Sequence, residues 1–182
     1  MKEKLFAIPE YTTAEEIKDL RKRLKLTQKE FAELICCGKS TVERWETSKE
    51  VIKGPVILLL HMLEQYPDYP KQLQIPPREY PLRLWYMYQH KPCTLIDVNE
   101  MEQKVHIINY TDNLMFRAFG KVENPDYKVY EEFLESRCFP ANRDKMKLIL
   151  KDLDLPFYDP LMIIEKTAGK MAEDDFWIRM ER

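Results

Sequence analysis

The residues best equipped for chemistry lie between Gln28 and Lys53. Lys39, Ser40, Thr41 and Arg44 fall in one short run, interrupted by the apolar Val42 and Trp45. An ammonium, two hydroxyls and a guanidinium fork suit hydrogen bonding to base edges and phosphates, and Arg44 and Lys39 carry donors able to read guanine O6 and N7. Lys49 and Lys53 follow at positions suited to backbone phosphates. Gln28 can hydrogen-bond a phosphate or brace a recognition side chain, a positioning role and not a reading one. Residues 18–53 hold ten Lys/Arg against six Asp/Glu, a local excess of positive charge in a chain whose net charge is −2. Any polyanion footprint is therefore local. Residues 78–182 hold 16 basic and 19 acidic side chains, so their expected partner is protein.

The other reactive residue types form no constellation. Cys36, Cys37, Cys93 and Cys138 include one adjacent pair but no CxxC or Cys/His spacing for a tetrahedral zinc site. His61, His90 and His106 stand without a nucleophile at recognisable spacing, and the acids Glu173, Asp174 and Asp175 read as a helix cap or solvated face. Four glycines in 182 residues leave no phosphate-cradling loop of the kind a kinase needs. We expect no enzyme, no catalytic residue, no metal and no cofactor. The start, MKEKLFAIPE, lacks the apolar run of a signal peptide, and the longest apolar stretch, Val56 to Leu60, is too short to cross a bilayer. A reduced, cytoplasmic chain is the expectation.

The elements that must position these residues are written in local signals. Thr13-x-x-Glu16 and Thr27-x-x-Glu30 each match a capping box, and Gly54-Pro55, with proline at the first helical position, opens a helix whose apolar face is Val56, Leu59, Leu60 and Leu63. Prolines 67, 70, 76, 77 and 81 then deny the chain regular structure. This pattern predicts a domain over 1–66, a proline-rich linker over 67–81 and a second domain over 82–182. In the second domain the runs 82–88, 93–98 and 105–110 are rich in aromatic and β-branched residues and predict a small antiparallel meander. Helical periodicity returns over 127–137, 142–150 and 159–167, the last with Asp159 as N-cap, Pro160 behind it and Gly169 just past its end. The fold class expected is a mainly α N-terminal domain plus an α+β C-terminal domain, a small antiparallel sheet followed by helices.

The stretch Leu26-Thr27-Gln28-Lys29-Glu30-Phe31-Ala32-Glu33-Leu34, then Gly38-Lys39-Ser40-Thr41-Val42-Glu43-Arg44-Trp45-Glu46, resembles the Cro/repressor-like (Xre) helix-turn-helix family. Ala32 matches the position where only a small side chain lets two helices approach. Phe31, Leu34, Val42 and Trp45 match its core. The resemblance implies that Lys39, Ser40, Thr41 and Arg44 face a major groove from the third helix. One departure is that Cys36 stands where the family usually has glycine in the turn, while Gly38 stands at the cap of the recognition helix. The run from Trp45 through Gly54-Pro55 to Leu60 looks most like the antitoxin subgroup, which regulates its own operon.

One such unit buries little surface on DNA, so a homodimer on a pseudo-palindromic operator is expected. The Val56–Leu63 helix and the Trp85–Tyr88 strand are candidate dimer surfaces unless they are core. In the second half, Arg137-x-x-Pro140-x-x-Arg143 and the ending Gly169 to Ile178, with Asp174, Asp175 and Trp177, resemble small domains associated with HipA-like proteins. Arg137 and Arg143 read as an internal salt-bridge clamp, and Phe176 and Trp177 as core. The leading expectation is an autorepressor of a mobile-element, phage or toxin–antitoxin-like operon, whose residues 82–182 bind a toxin or a second protomer. The alternative is an anti-CRISPR or other inhibitor, in which the helix-turn-helix controls its own promoter while the C-terminal domain blocks an enzyme, with a nuclease as a candidate partner.

Overall fold

The computed structural model describes residues 6–182, so Met1 to Leu5, part of the start read as lacking a signal sequence, lie outside the described residues. The chain divides into two compact units, 1–75 and 76–182.

The first unit is helical: α1 (Ala14–Arg23), α2 (Gln28–Leu34), α3 (Lys39–Glu46), α4 (Val56–Gln65) and the short α5 (Tyr69–Gln72). Both capping boxes form, with Thr13 and Thr27 hydroxyls accepting from the Glu16 and Glu30 amides and the two carboxylates accepting in return from the threonine amides. α1 and α2 each end on a non-glycine residue in the left-handed region, Lys25 (φ 59°) and Cys36 (φ 55°). At both ends the next amide reaches back to close the turn, Leu26 N to Arg21 O and Cys37 N to Ala32 O. The core gathers Ile17, Leu20, Phe31, Ala32, Val42, Ile52, Val56, Ile57, Leu60 and Leu63. α4 opens one residue later than its sequence suggests, because Gly54 sits at φ +115°, which only glycine adopts freely, and Pro55 becomes the N-cap. Thr12 and Ile52 exchange backbone hydrogen bonds of 2.9 and 2.8 Å, tying the strand before α1 to the segment after α3.

The second unit is a four-stranded antiparallel sheet with three helices. The strands β1 (Leu82–Tyr88), β2 (Lys91–Asn99), β3 (Lys104–Asn109) and β4 (Phe176–Glu181) lie in the order β3-β2-β1-β4. The helices α6 (Tyr127–Ser136), α7 (Met146–Asp152) and α8 (Pro160–Thr167) come between β3 and β4 in sequence. The meander is present as expected, and β4 is an addition to it: the chain end pairs along β1 instead of closing as an acidic cap. α8 starts as written, Asp159 accepting from the Met162 amide at 2.8 Å. α7 begins at Met146, not Asn142, because a turn after Pro140 (Arg143 N to Pro140 O) and a left-handed Lys145 intervene.

Leu84, Ile96, Val98 and Ile178 form one face of the sheet, joined by Tyr130, Phe133, Ile163 and Ile164 of the helices. Trp85, Met87 and Leu95 form the other, with Ile108, Tyr110 and Trp177 against them. Trp85 to Met87 are buried in a central strand, so they are core and unavailable as a dimer surface. Arg83 and Asp97 face one another across β1 and β2 in a buried bidentate pair (2.7 and 2.6 Å), and the remaining guanidinium donors hold the Pro76 and Pro77 carbonyls. Among the described residues no helix is long and apolar enough to cross a membrane.

Candidate nucleic-acid interface

The helix-turn-helix geometry begins with Ala32. It is 2% exposed and shares one buried cluster with Phe31 and Val42, and its methyl group leaves α2 and α3 room to approach. The Cys36–Cys37 turn delivers the chain to Gly38, whose carbonyl accepts from Thr41 N (2.9 Å) and starts α3 with no side-chain cap. A Cβ built on Gly38 would meet nothing closer than Ser40 Oγ at 3.6 Å, so the absence of a capping side chain is a choice of chemistry and not of space.

Helical spacing then separates α3 into two faces. Val42 is fully buried and Trp45 packs against the core. Lys39, Ser40 and Arg44 are exposed, and Thr41 is half-buried beside them. Among the described residues the Arg44 side chain meets no carboxylate and makes no hydrogen bond. Lys39 pairs with Glu43 one turn on, at 2.8 Å, with both side chains about half exposed. Such a pair contributes roughly 0.3–0.5 kcal/mol and exchanges readily for a phosphate or base.

Gln28 has a partner inside the protein: its amide donates to Glu46 Oε2 at 2.9 Å. Glu46 also receives two bonds from Arg21, Nε to Oε1 at 2.6 Å and Nη2 to Oε2 at 3.0 Å, while Arg21 Nη1 holds the Leu26 carbonyl. Only 4% of the Glu46 side chain reaches solvent. The guanidinium beside it holds the Glu46 carboxyl below the usual carboxylate range, against the opposing effect of burial. This node joins α1, the start of α2 and the end of α3, and it neutralises an acid that would otherwise stand close to the outward face. Sequence reasoning placed Gln28 but missed Arg21 and Glu46, since nothing local marks two residues 25 positions apart as partners.

Lys49 and Lys53 are exposed in the segment after α3. Ser48 Oγ donates to the Glu50 carbonyl and accepts from the Glu50 amide, folding the loop that displays Lys49. The Thr12–Ile52 bridge anchors the residue before Lys53. The seven candidate residues thus lie on α3, at the start of α2 and in the loop after α3, with Gln28 turned to an internal partner.

In the second unit Arg137 is the clamp that the sequence suggests. It is 7% exposed and donates to Asp174 (2.7 and 3.0 Å), twice to the Gly169 carbonyl and once to that of Phe176. Arg143 takes no part in it.

Residues 7–74 match a family model described as the antitoxin component of a bacterial toxin–antitoxin system, MqsA. The match covers a little over a third of the chain, so it is the N-terminal unit that is similar to that antitoxin family. No curated protein and no solved structure matches the chain.

Proposed function

We propose that this chain is a cytoplasmic, sequence-specific regulator that reads duplex DNA through α3 and represses its own toxin–antitoxin-like operon, acting as a homodimer. Residues 76–182 take the protein-binding role, with a toxin as the partner class, and no catalytic step is assigned to them. The observation that carries this reading is the outward face of α3. Ser40 and Arg44 stand in solvent there, while the nearest buried acid, Glu46, is already held by Arg21 and Gln28. The similarity of residues 7–74 to an antitoxin family supports the operon context.

The roles follow from chemistry. Arg44 and Lys39 donate to base edges, Ser40 and Thr41 hydroxyls serve bases or phosphates, and Lys49 and Lys53 neutralise backbone charge. Gln28 acts through Glu46, keeping α3 in register with α2. The test is a gel-shift titration on duplex DNA from upstream of the chain's own operon. Arg44→Ala and Lys39→Ala should each weaken the operator complex by about tenfold or more, with helical circular dichroism retained. Lys49→Ala and Lys53→Ala should weaken all duplexes alike and reduce the salt slope by about one each. Undiminished operator binding by the Lys39/Arg44 double variant rejects the reading.

A further inference from the structure

We propose that the outer edge of β3 is a homodimer interface, at which β3 pairs antiparallel with β3 of a second copy and joins the two sheets into one of eight strands. It deepens the two-copy reading above, and rests on that reading for its choice of a second copy over a foreign strand.

The argument starts from the backbone. β3 ends the sheet, paired with β2 alone. In its ladder Thr94 faces Asn109 and Leu95 faces Ile108, and the Tyr110 amide donates to the Cys93 carbonyl at 2.9 Å. Antiparallel bonding alternates, so the peptide groups of His106, Ile108 and Tyr110 point toward β2 and those of Val105, Ile107 and Asn109 point away. Among the described residues no hydrogen bond from outside the ladder reaches the amides or carbonyls of these three.

The opposite edge is treated differently. On β4 the Ile178 amide, which lies on its outer side, donates to the Ala168 carbonyl at 2.7 Å, and Arg182 holds Glu165 at 3.1 Å, so the loop after α8 covers that strand. β1 and β2 slip register between Tyr86 and Met87, but the β2–β3 ladder runs unbroken, and β3 contains no proline, no bulge and no inward-facing charge. Proteins use such devices to keep an edge from pairing; of them β3 carries an edge lysine, Lys104, at its first position, where it pairs with Glu102 at 2.8 Å.

The strand also fits itself. A two-fold axis through Ile107 sets Ile107 against its own copy and Val105 against the partner's Asn109. All three outward amides and all three outward carbonyls of each strand then find partners. His106 comes opposite the partner's Ile108 and Lys104 opposite the partner's Tyr110, so no like charges face each other. Shifting the axis to His106 would stack His106 on its copy, and the Ile107 register avoids that. A closed two-fold of this kind consumes both edges and stops at two copies.

The experiment uses the full chain with Cys36 and Cys37 replaced by serine. Sedimentation equilibrium should give twice the 22.0 kDa chain mass. Ile107→Pro removes an outward donor without touching the ladder to β2, and should reduce the mass to that of one chain with the β-sheet dichroism retained. Independently, the His106→Cys/Ile108→Cys pair, opposite one another at a non-hydrogen-bonded position where side chains come closest, should form an interchain disulfide under mild oxidation, whereas His106→Cys alone should not. A parent that is monomeric at tens of micromolar overturns the proposal, and so does a dimer in which this cysteine pair does not cross-link. Failure of the DNA reading is distinguishable: Arg44→Ala would then leave operator binding intact, whereas the β3 variants report on mass and cross-linking alone.

Discussion

Glu46 accepts three hydrogen bonds while 4% of its side chain meets solvent, and through them it joins α1, the start of α2 and the end of α3. Glu46→Gln leaves the Arg21 guanidinium, itself 13% exposed, without a charge partner. Removing one side of a buried pair costs about 3–5 kcal/mol, and the surviving amide oxygen recovers part of it. Urea unfolding followed at Trp45, the one tryptophan in residues 1–75, should therefore show a loss of about 2–4 kcal/mol. The sign of the pH effect follows from the direction of the shift. A carboxyl held below its ordinary value contributes its full stabilisation above that value and loses it as pH falls through the lowered one. Stability of the parent should thus decline on the acid side more steeply than that of Glu46→Gln, and equal slopes would contradict the assignment. Cys36 offers the opposite case. Its φ of 55° costs an L-residue about 1 kcal/mol that glycine does not incur, less the extra entropy glycine loses on folding. Cys36→Gly should raise stability by roughly 0.5 kcal/mol without changing the turn, measured in the same urea titration.

The elements legible in the sequence are those whose signals close within four residues. Thr13 and Glu16, Thr27 and Glu30, and Asp159 with Pro160 are neighbours in the chain, and each appears at a helix start as written. The run Gly38 to Glu46 was legible through its resemblance to a helix-turn-helix family, and in the structure Val42 and Trp45 turn to the core while Lys39, Ser40 and Arg44 are exposed. Apart from the starts of α4 and α7, displaced by local turns, what escaped was set by distance along the chain. β4 exists because β1, some ninety residues earlier, offers a free edge, and on its own the sequence around Asp174 and Asp175 reads as a helix cap or solvated face, with Phe176 and Trp177 as core. Its position is held by Arg137, whose guanidinium reaches from the end of α6 to Gly169, Asp174 and Phe176. Gly169 permits this close approach, since its φ is +57° and a Cβ there would meet Ile178 Cδ1 at 3.2 Å. Arg137→Met should cost about 3 kcal/mol, because two carbonyls and a partly buried carboxylate lose their donors together. Tryptophan fluorescence of Trp85 and Trp177 during unfolding would read it. The Asp174 carboxyl, lowered chiefly by its bonds from Arg137, makes this contribution present above the ordinary Asp value and lost as pH falls through the lowered one. An Arg137→Met protein with unchanged stability would mean that β4 is held by the Ile178 and β1 contacts alone.

Residues 1–75 and 76–182 each own their core. The buried cluster around Phe31 and Val42 draws on residues 17–63, and the clusters on the two faces of the sheet draw on residues 82–178. Burial of apolar surface is the main stabilising contribution to a fold of this size, so a unit with a buried cluster of its own has what it needs to fold. Expressed separately, 1–75 should keep its helical dichroism, and on the function proposed above it should show a salt-dependent affinity for duplex DNA, because Lys39, Arg44, Lys49 and Lys53 and the node joining α1, α2 and α3 all lie within it. Its affinity for the operator should fall well below that of the full chain if the second copy is recruited through β3, since a single helix-turn-helix buries too little surface for specific binding. The 76–182 fragment should melt cooperatively and sediment at twice its own mass. Joining 1–75 to an unrelated dimerising module should then restore much of the operator affinity, measured by the same gel shift. A fused dimer that binds operator no better than the single unit would mean that the specificity lies outside α3.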